Sequence, residues 1–177
     1  YCSGKIHHIA SRHSRGVGEL RQALELAPHH FEARRALALA IAQASPAEAR
    51  IHLEILAQQR PGDGPTLYSL ALVHRALGDT ADAGKIMDEL LLARPEDVQY
   101  LVERALIELD AGRPIESEAL LRRAANHAPN NREVLLALSK ALRIQNRPAE
   151  ADQFLKRCVE LDAQSKRKME SIKPKSK

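Results

Sequence analysis

Aromatic residues are scarce in this chain: two Phe, three Tyr and no Trp, or 3% of 177 residues. With 44% hydrophobic residues the chain is nevertheless apolar enough to fold, so its core must be built from Leu, Ala, Ile and Val. Ala and Leu are strong helix formers, which directs attention to helices. No run of about 18 apolar residues occurs, which excludes a membrane-spanning helix. Cysteine is limited to Cys2 and Cys158, too few for a disulfide framework or a thiolate metal set. Cys158 falls on the inner stripe of a helix and reads as a small buried apolar residue.

Signatures of chemistry are missing as well. There is no Gly-rich phosphate loop, no G-x-S-x-G and no H-E-x-x-H. His7, His8 and His13 form the densest imidazole cluster, but their spacings do not share a helical face. His29 and His30 fall in a loop, and His52, His74 and His127 are dispersed. Acids such as Glu54 and Asp88 lie among bases on outer faces. No metal, no cofactor and no enzymatic activity are expected from these residues. The net charge of +4 is also unevenly placed. Lys166, Arg167, Lys168, Lys173, Lys175 and Lys177 against Glu170 give the last twelve residues +5, leaving −1 for the rest. The basic end has no interleaved aromatic residues on which bases could stack, so specific nucleic-acid binding is not expected. Docking of this tail on nucleic acid or anionic membrane remains a third, weaker alternative.

What is present is a ruler. Prolines stand at Pro28, Pro61, Pro95 and Pro129, with Ala163 at the next place, at intervals of 33, 34, 34 and 34. Proline stops a helix, so each one marks the end of a helix pair. Fixed-period self-similarity of this length is the mark of a stacked repeat array. The chain divides into units of about 1–30, 31–63, 64–97, 98–131 and 132–165, followed by a basic tail, 166–177, expected to be a short helical cap passing into disorder.

The stretch from Thr66 to Pro95 shows the grammar best. Leu67, Leu70, Ala71 and His74 fall at helical spacing, Gly78-Asp79 breaks the chain, and Ala83, Met87 and Leu90 form a second stripe. The neighbouring units repeat it with Leu37, Ala38 and Ile41, then Ala49, Leu53 and Leu56, joined by Gln43-Ala44-Ser45-Pro46 with Ser45 as the expected cap. Leu135, Leu138, Ser139 and Leu142, then Ala151, Leu155 and Cys158, repeat it again. Between them, Leu101, Ala105 and Leu109 are followed by Gly112-Arg113-Pro114, then Ser117, Leu121 and Ala124. There Arg104 and Glu108 occupy normally apolar places, which predicts a first helix rotated or partly exposed. Recurring small residues, Ala38, Ala71, Ala105 and Ser139 in first helices and Ala49, Ala83, Ser117 and Ala151 in second helices, permit close helix approach. In the first unit Gly4 and Ile6 stand where a first helix is expected and Ser11 where its turn is expected. That register begins inside a helix at Tyr1, as if the opening residues of the unit were missing.

These residues resemble the tetratricopeptide repeat family, whose pattern is W-x2-L-G-x2-Y, A-x3-F, A and P over 34 residues. It is met by Leu67-x2-Leu70-Ala71-x2-His74, Ala83-x3-Met87, Leu90 and Pro95. Leu135-x2-Leu138-Ser139-x2-Leu142, Ala151-x3-Leu155, Cys158 and Ala163 meet it again. Aliphatic residues replace the family's large aromatics throughout. The resemblance implies an all-α fold, a right-handed α-solenoid of antiparallel helix pairs, with first helices lining a concave groove that binds a peptide or protein segment. The groove positions carry over to Arg35, Leu39, Gln43, Tyr68, Leu72, Arg75, Val102, Leu106, Leu109, Leu136, Lys140 and Arg143. Their apolar centre and outer cations suit a partner with apolar and acidic residues. The Lys/Asn set by which some family members hold an acidic chaperone C-terminus is replaced by Arg35 with Leu39, Ser69, and Gln99 with Glu103, so that subtype is not expected. Two functions follow: an adaptor scaffold, or a regulatory or targeting module of a larger enzyme or envelope protein. Self-association through the open first unit and a cytoplasmic or bacterial-envelope location stay undecided at this level.

Overall fold

The structure, a computed structural model, describes residues 2–172, with side chains described for residues 14–167. Nine α-helices and no strands occur among the described residues. They are α1 (Cys2–Leu26), α2 (Phe31–Ile41), α3 (Pro46–Gln59), α4 (Gly64–Ala76), α5 (Thr80–Ala93), α6 (Val98–Asp110), α7 (Pro114–His127), α8 (Arg132–Ile144) and α9 (Pro148–Ile172). The fold is all-α, a repetition of helix pairs, and it divides into two compact units between Leu90 and Leu91.

Local chemistry sets the helix ends. Two residues after each proline stands a side chain that caps the following first helix. His30 Nδ1 accepts from the Ala33 amide at 3.2 Å, and Asp63 Oδ2 from the Thr66 amide at 3.0 Å. Asp97 Oδ1 accepts from the Gln99 amide at 3.0 Å, and Asn131 Oδ1 from the Glu133 amide at 2.9 Å. Each such bond satisfies an otherwise orphaned amide and contributes about 1 kcal/mol. Three of the tight turns use a left-handed residue: Gly78 (φ 84°), Gly112 (φ 75°) and Asn146 (φ 57°). The next amide in each closes back on the helix, Asp79 to the His74 carbonyl at 2.9 Å, Arg113 to Glu108 at 2.8 Å and Arg147 to Leu142 at 2.9 Å. The α2–α3 connection, residues 42–45, is one residue longer than these and has no such residue. Pro46 is at the start of α3, but Ser45 makes no side-chain cap bond.

In the first unit α2 packs on α1 and α3, and α3 on α4. Leu37, Ala38, Ile41, Ala49, Leu53, Leu56, Leu70 and Val73 form the core, with Val17, Leu20 and Leu24 of α1 and Ile86 of α5 against it. In the second unit α7 packs on α6 and α8, α9 on α8, and α8 also touches α6. Its core joins Leu101, Val102, Ala105, Leu109, Leu121, Ala124, Val134, Ala137, Leu138 and Ala141. All eight small residues singled out by the repeat are buried, as is Cys158, while Leu155 is only half-buried.

Three expectations are corrected. The turn expected at Ser11 does not form: α1 is continuous from Cys2 to Leu26, since nothing there forces a break and even Gly16 and Gly18 only weaken a helix. The last second helix does not end at Ala163: α9 runs on to Ile172, because alanine, unlike the prolines at the corresponding places, continues a helix. Finally, α6 is not exposed at Glu108, which is 4% accessible. Arg104 and Arg113 both donate to its carboxylate, so a charge buried at a core position is neutralised from two sides. Burial alone would raise the carboxyl pKa, but the hydrogen bonds from Arg113 and Arg104 outweigh it and hold the pKa below the ordinary glutamate value. The side chains of Cys2, His7, His8 and His13 lie outside those described, as do residues 173–177 of the basic tail.

Candidate functional site

First helices carry the candidate surface, and each unit has its own part of it. In the second unit, Leu106 of α6 and Leu136 and Ala137 of α8 line an open depression of about 610 Å³. Asn131, Arg132 and Glu133 form its border at the start of α8, and Lys140 stands one turn further on. The apolar lining follows from the 3.6-residue period, which puts Leu136 and Lys140 on one side of α8. Leu136 is 40% accessible, unusual for a leucine in a helix with so many buried neighbours. Arg132 is loosely held by Asp162 at 3.4 Å.

Val102 and Leu109, two of the twelve groove positions read from the repeat, lie in the core instead, at 3% and 9% accessibility. The reason is the packing of α8 against α6, which covers that flank and leaves Leu106 half-open. Arg143 is exposed and donates to Asp152 at 3.0 Å, so its charge already has a partner.

In the first unit, Gln43 and Leu72 line a smaller open depression of about 420 Å³ together with Ala42, Pro46, Val73 and Ala76. Leu39 on α2 is 54% accessible. Arg35 pairs with Glu32 on its own helix at 3.2 Å. Tyr68 and Arg75 are half-buried on α4, and both have interactions of their own. Ser69 donates to the Pro65 carbonyl at 2.9 Å and Glu103 is buried, so neither is presented as a ligand-holding group.

Two features escaped the sequence reading. The capping residue two places after each proline was legible as Pro-x-His/Asp/Asn. The Arg132–Glu133 border of the depression was not, because a charged pair at a helix start is ordinary in sequence. Among the described residues no group of three or more His, Cys, Asp or Glu is placed to hold a metal ion. No helix among them is long and apolar enough to cross a membrane.

Two tetratricopeptide repeat family models match the chain, one over residues 68–130 and one over residues 108–171. The chain belongs to the tetratricopeptide repeat family. Solved structures agree on the fold of this tetratricopeptide repeat protein. A crystal structure of MamA shares 12% identity at a TM-score of 0.75, covering 93% of this chain and 96% of that one. MamA from Desulfovibrio magneticus RS-1 shares 16% at 0.76, covering 89% and 93%. A tetratricopeptide repeat protein from Parabacteroides merdae ATCC 43184 shares 16% at 0.77, covering 86% of this chain and 60% of that one. At these identities the likeness is one of fold. No curated protein sequence matches the chain. In general terms the protein is a protein-interaction scaffold of the tetratricopeptide repeat type.

Proposed function

We propose that the protein binds a peptide or protein segment on the exposed sides of its first helices, with the α6–α8 depression as the main anchoring place. The observation that carries this reading is that depression: an apolar lining of Leu106, Leu136 and Ala137 with Lys140 beside it. Apolar surface returns free energy when covered, at about 25 cal/mol per Å². A neighbouring cation then orients the ligand by charge-assisted bonds to a carboxylate. The preferred segment therefore has an aliphatic anchor residue with an acidic residue close by. The first unit supplies a second, weaker place through Leu39, Gln43, Leu72 and Arg75.

Calorimetric titration with a panel of peptides that vary the aliphatic anchor and the acid tests this reading. Leu106→Asp and Leu136→Asp are expected to abolish binding while leaving the helical signal intact, and Lys140→Glu to weaken it for acidic peptides only. Arg75→Glu separates the first-unit surface from the second. Equal binding by the Leu106, Leu136 and parent proteins would remove the assignment.

A further inference from the structure

On α8, the side that borders the α6–α8 depression is charged at both ends. Glu133, Leu136, Ala137 and Lys140 all line it, at the spacing i, i+3, i+4 and i+7 that keeps side chains on one helical face. Glu133 stands in the first turn and Lys140 two turns on, about 10 Å further along the axis at about 1.5 Å per residue. The apolar pair lies midway between them.

The other charges around this depression are neutralised within the fold. Arg132 pairs with Asp162 of α9 at 3.4 Å. On α6, Arg104 and Glu108 pair with each other, and Glu103 and Asp110 have interactions of their own. Glu133 and Lys140 differ: both are exposed, and the side chain of neither makes an ion pair or hydrogen bond among the described residues. The helix dipole gives an acid at Glu133 a structural use. Lys140, a full turn before the end of α8, has no such use.

We propose that the depression selects an amphipathic helix of another protein whose contact face carries a cation, two aliphatic residues and an acid at i, i+3, i+4 and i+7. This selection rests on the anchoring role given to the depression above. The incoming cation lies against Glu133, the acid against Lys140, and the aliphatic pair covers Leu106 and Leu136. The two unlike charges also fix the direction in which the helix lies. A helix fits because two of its turns match the separation of Glu133 and Lys140 with all four contacts on one face. An extended segment covers the same distance in about three residues, which turns its two charges to opposite sides. The α8 helix of a second copy does not fill the place, although its charges would match when antiparallel. Ala137 is 7% accessible and Leu136 sits in the depression itself, so that stripe presents too little apolar surface.

The probes are three labelled, blocked, alanine-based peptides of about 18 residues, long enough to be helical in water. Each carries leucine at i+3 and i+4, and they differ at i and i+7: Lys with Glu, Lys with Lys, or Glu with Glu. All are titrated against the full chain, Glu133→Lys and Lys140→Glu by fluorescence anisotropy, at low salt so that exposed charges are not screened. The parent should prefer the Lys/Glu peptide, with each mismatched charge weakening binding by about fivefold. Glu133→Lys should prefer Glu/Glu, and Lys140→Glu should prefer Lys/Lys. Both positions are exposed, and circular dichroism checks that the variants fold. Equal binding of the three peptides by the parent, or a preference that does not follow the substitutions, overturns the inference and leaves the apolar anchoring place standing. Binding that survives Leu136→Asp overturns the anchoring place and the inference together. If none of the three binds saturably, the inference fails alone when the peptides of the calorimetric panel bind, and both fail when those do not. Sedimentation of the chain alone as a dimer that Lys140→Glu dissociates also overturns it, by assigning the face to a second copy.

Discussion

Arg147, in the turn before α9, donates through Nη1 to the Glu118 carboxylate on α7 at 2.7 Å. The same carboxylate accepts from Arg122 at 2.6 Å and from Gln145 at 2.9 Å, so one acid ties two successive helix pairs of the second unit together. Burial pushes the Glu118 pKa up, but the hydrogen bonds from Arg122 and Gln145 and the nearby guanidinium charges more than offset this and leave it below the ordinary value. A carboxyl with a depressed folded-state pKa contributes stability that is present above its unfolded value, about 4.3, and lost as pH falls through the folded one. Chemical denaturation between pH 7 and pH 3 should therefore show a smaller acid loss for Glu118→Gln than for the parent. At pH 7 the variant should be less stable by about 1–2 kcal/mol, a value kept low because Arg122 and Arg147 are partly solvated. An unchanged acid slope would show that the contact contributes nothing to folding.

Gly112 and Asn146 hold the left-handed turn position in the second unit, one without and one with a side chain. A Cβ at Gly112 would meet nothing within 4 Å, so Gly112→Ala isolates the conformational cost. That cost should be about 1 kcal/mol. Asn146→Gly should be neutral within about 0.5 kcal/mol, since asparagine already tolerates this region, while Asn146→Ala should repeat the Gly112→Ala loss. Equal thermal midpoints for all three variants would mean that the turns do not limit stability.

The repeat period, the buried small residues and the apolar stripes were legible because they depend on spacing alone. The burial of Glu108 was not. The repeat register puts Glu108 at an inner place while its charge argues for exposure, and the second partner that permits its burial, Arg113, lies beyond a turn where no period reaches. Val102 and Leu109 were misplaced for a related reason: which flank of α6 is open depends on where α8 lies, which is a tertiary fact. The extent of α9 was half-legible. Alanine in place of the fifth proline was visible, but its consequence, a helix continued to Ile172, required weighing propensity over periodicity.

Ser117 is fully buried and its hydroxyl has no hydrogen-bond partner among the described residues. Ala49, Ala83 and Ala151 fill the equivalent places and are equally buried. Ser117→Ala should therefore stabilise the protein by about 1 kcal/mol, the cost of a buried hydroxyl left unsatisfied. The opposite change in the same class of site, Ala71→Leu, should force neighbouring helices apart and cost about 1–3 kcal/mol. Denaturant midpoints decide both. A destabilised Ser117→Ala would mean that the hydroxyl is used, and a neutral Ala71→Leu would mean that the helix approach is looser than the burial of Ala71 indicates.

Ala163→Pro restores the fifth proline of the ruler and tests the role of the α9 extension. Proline there removes the amide that would bond the Val159 carbonyl and its ring crowds that carbonyl, which costs about 3 kcal/mol inside a helix. The buried side chains of α9, Ala151 and Cys158, lie before residue 163, and α8 packs on this helix. The chain can avoid the penalty by unwinding only the end of the helix, since helix termini open locally at little cost. The expected outcome is a loss of helical ellipticity corresponding to Ala163–Ile172 with the thermal midpoint nearly unchanged. A midpoint that falls with the ellipticity would instead make the extension part of the cooperative fold, stabilising α9 through contacts of its last turns.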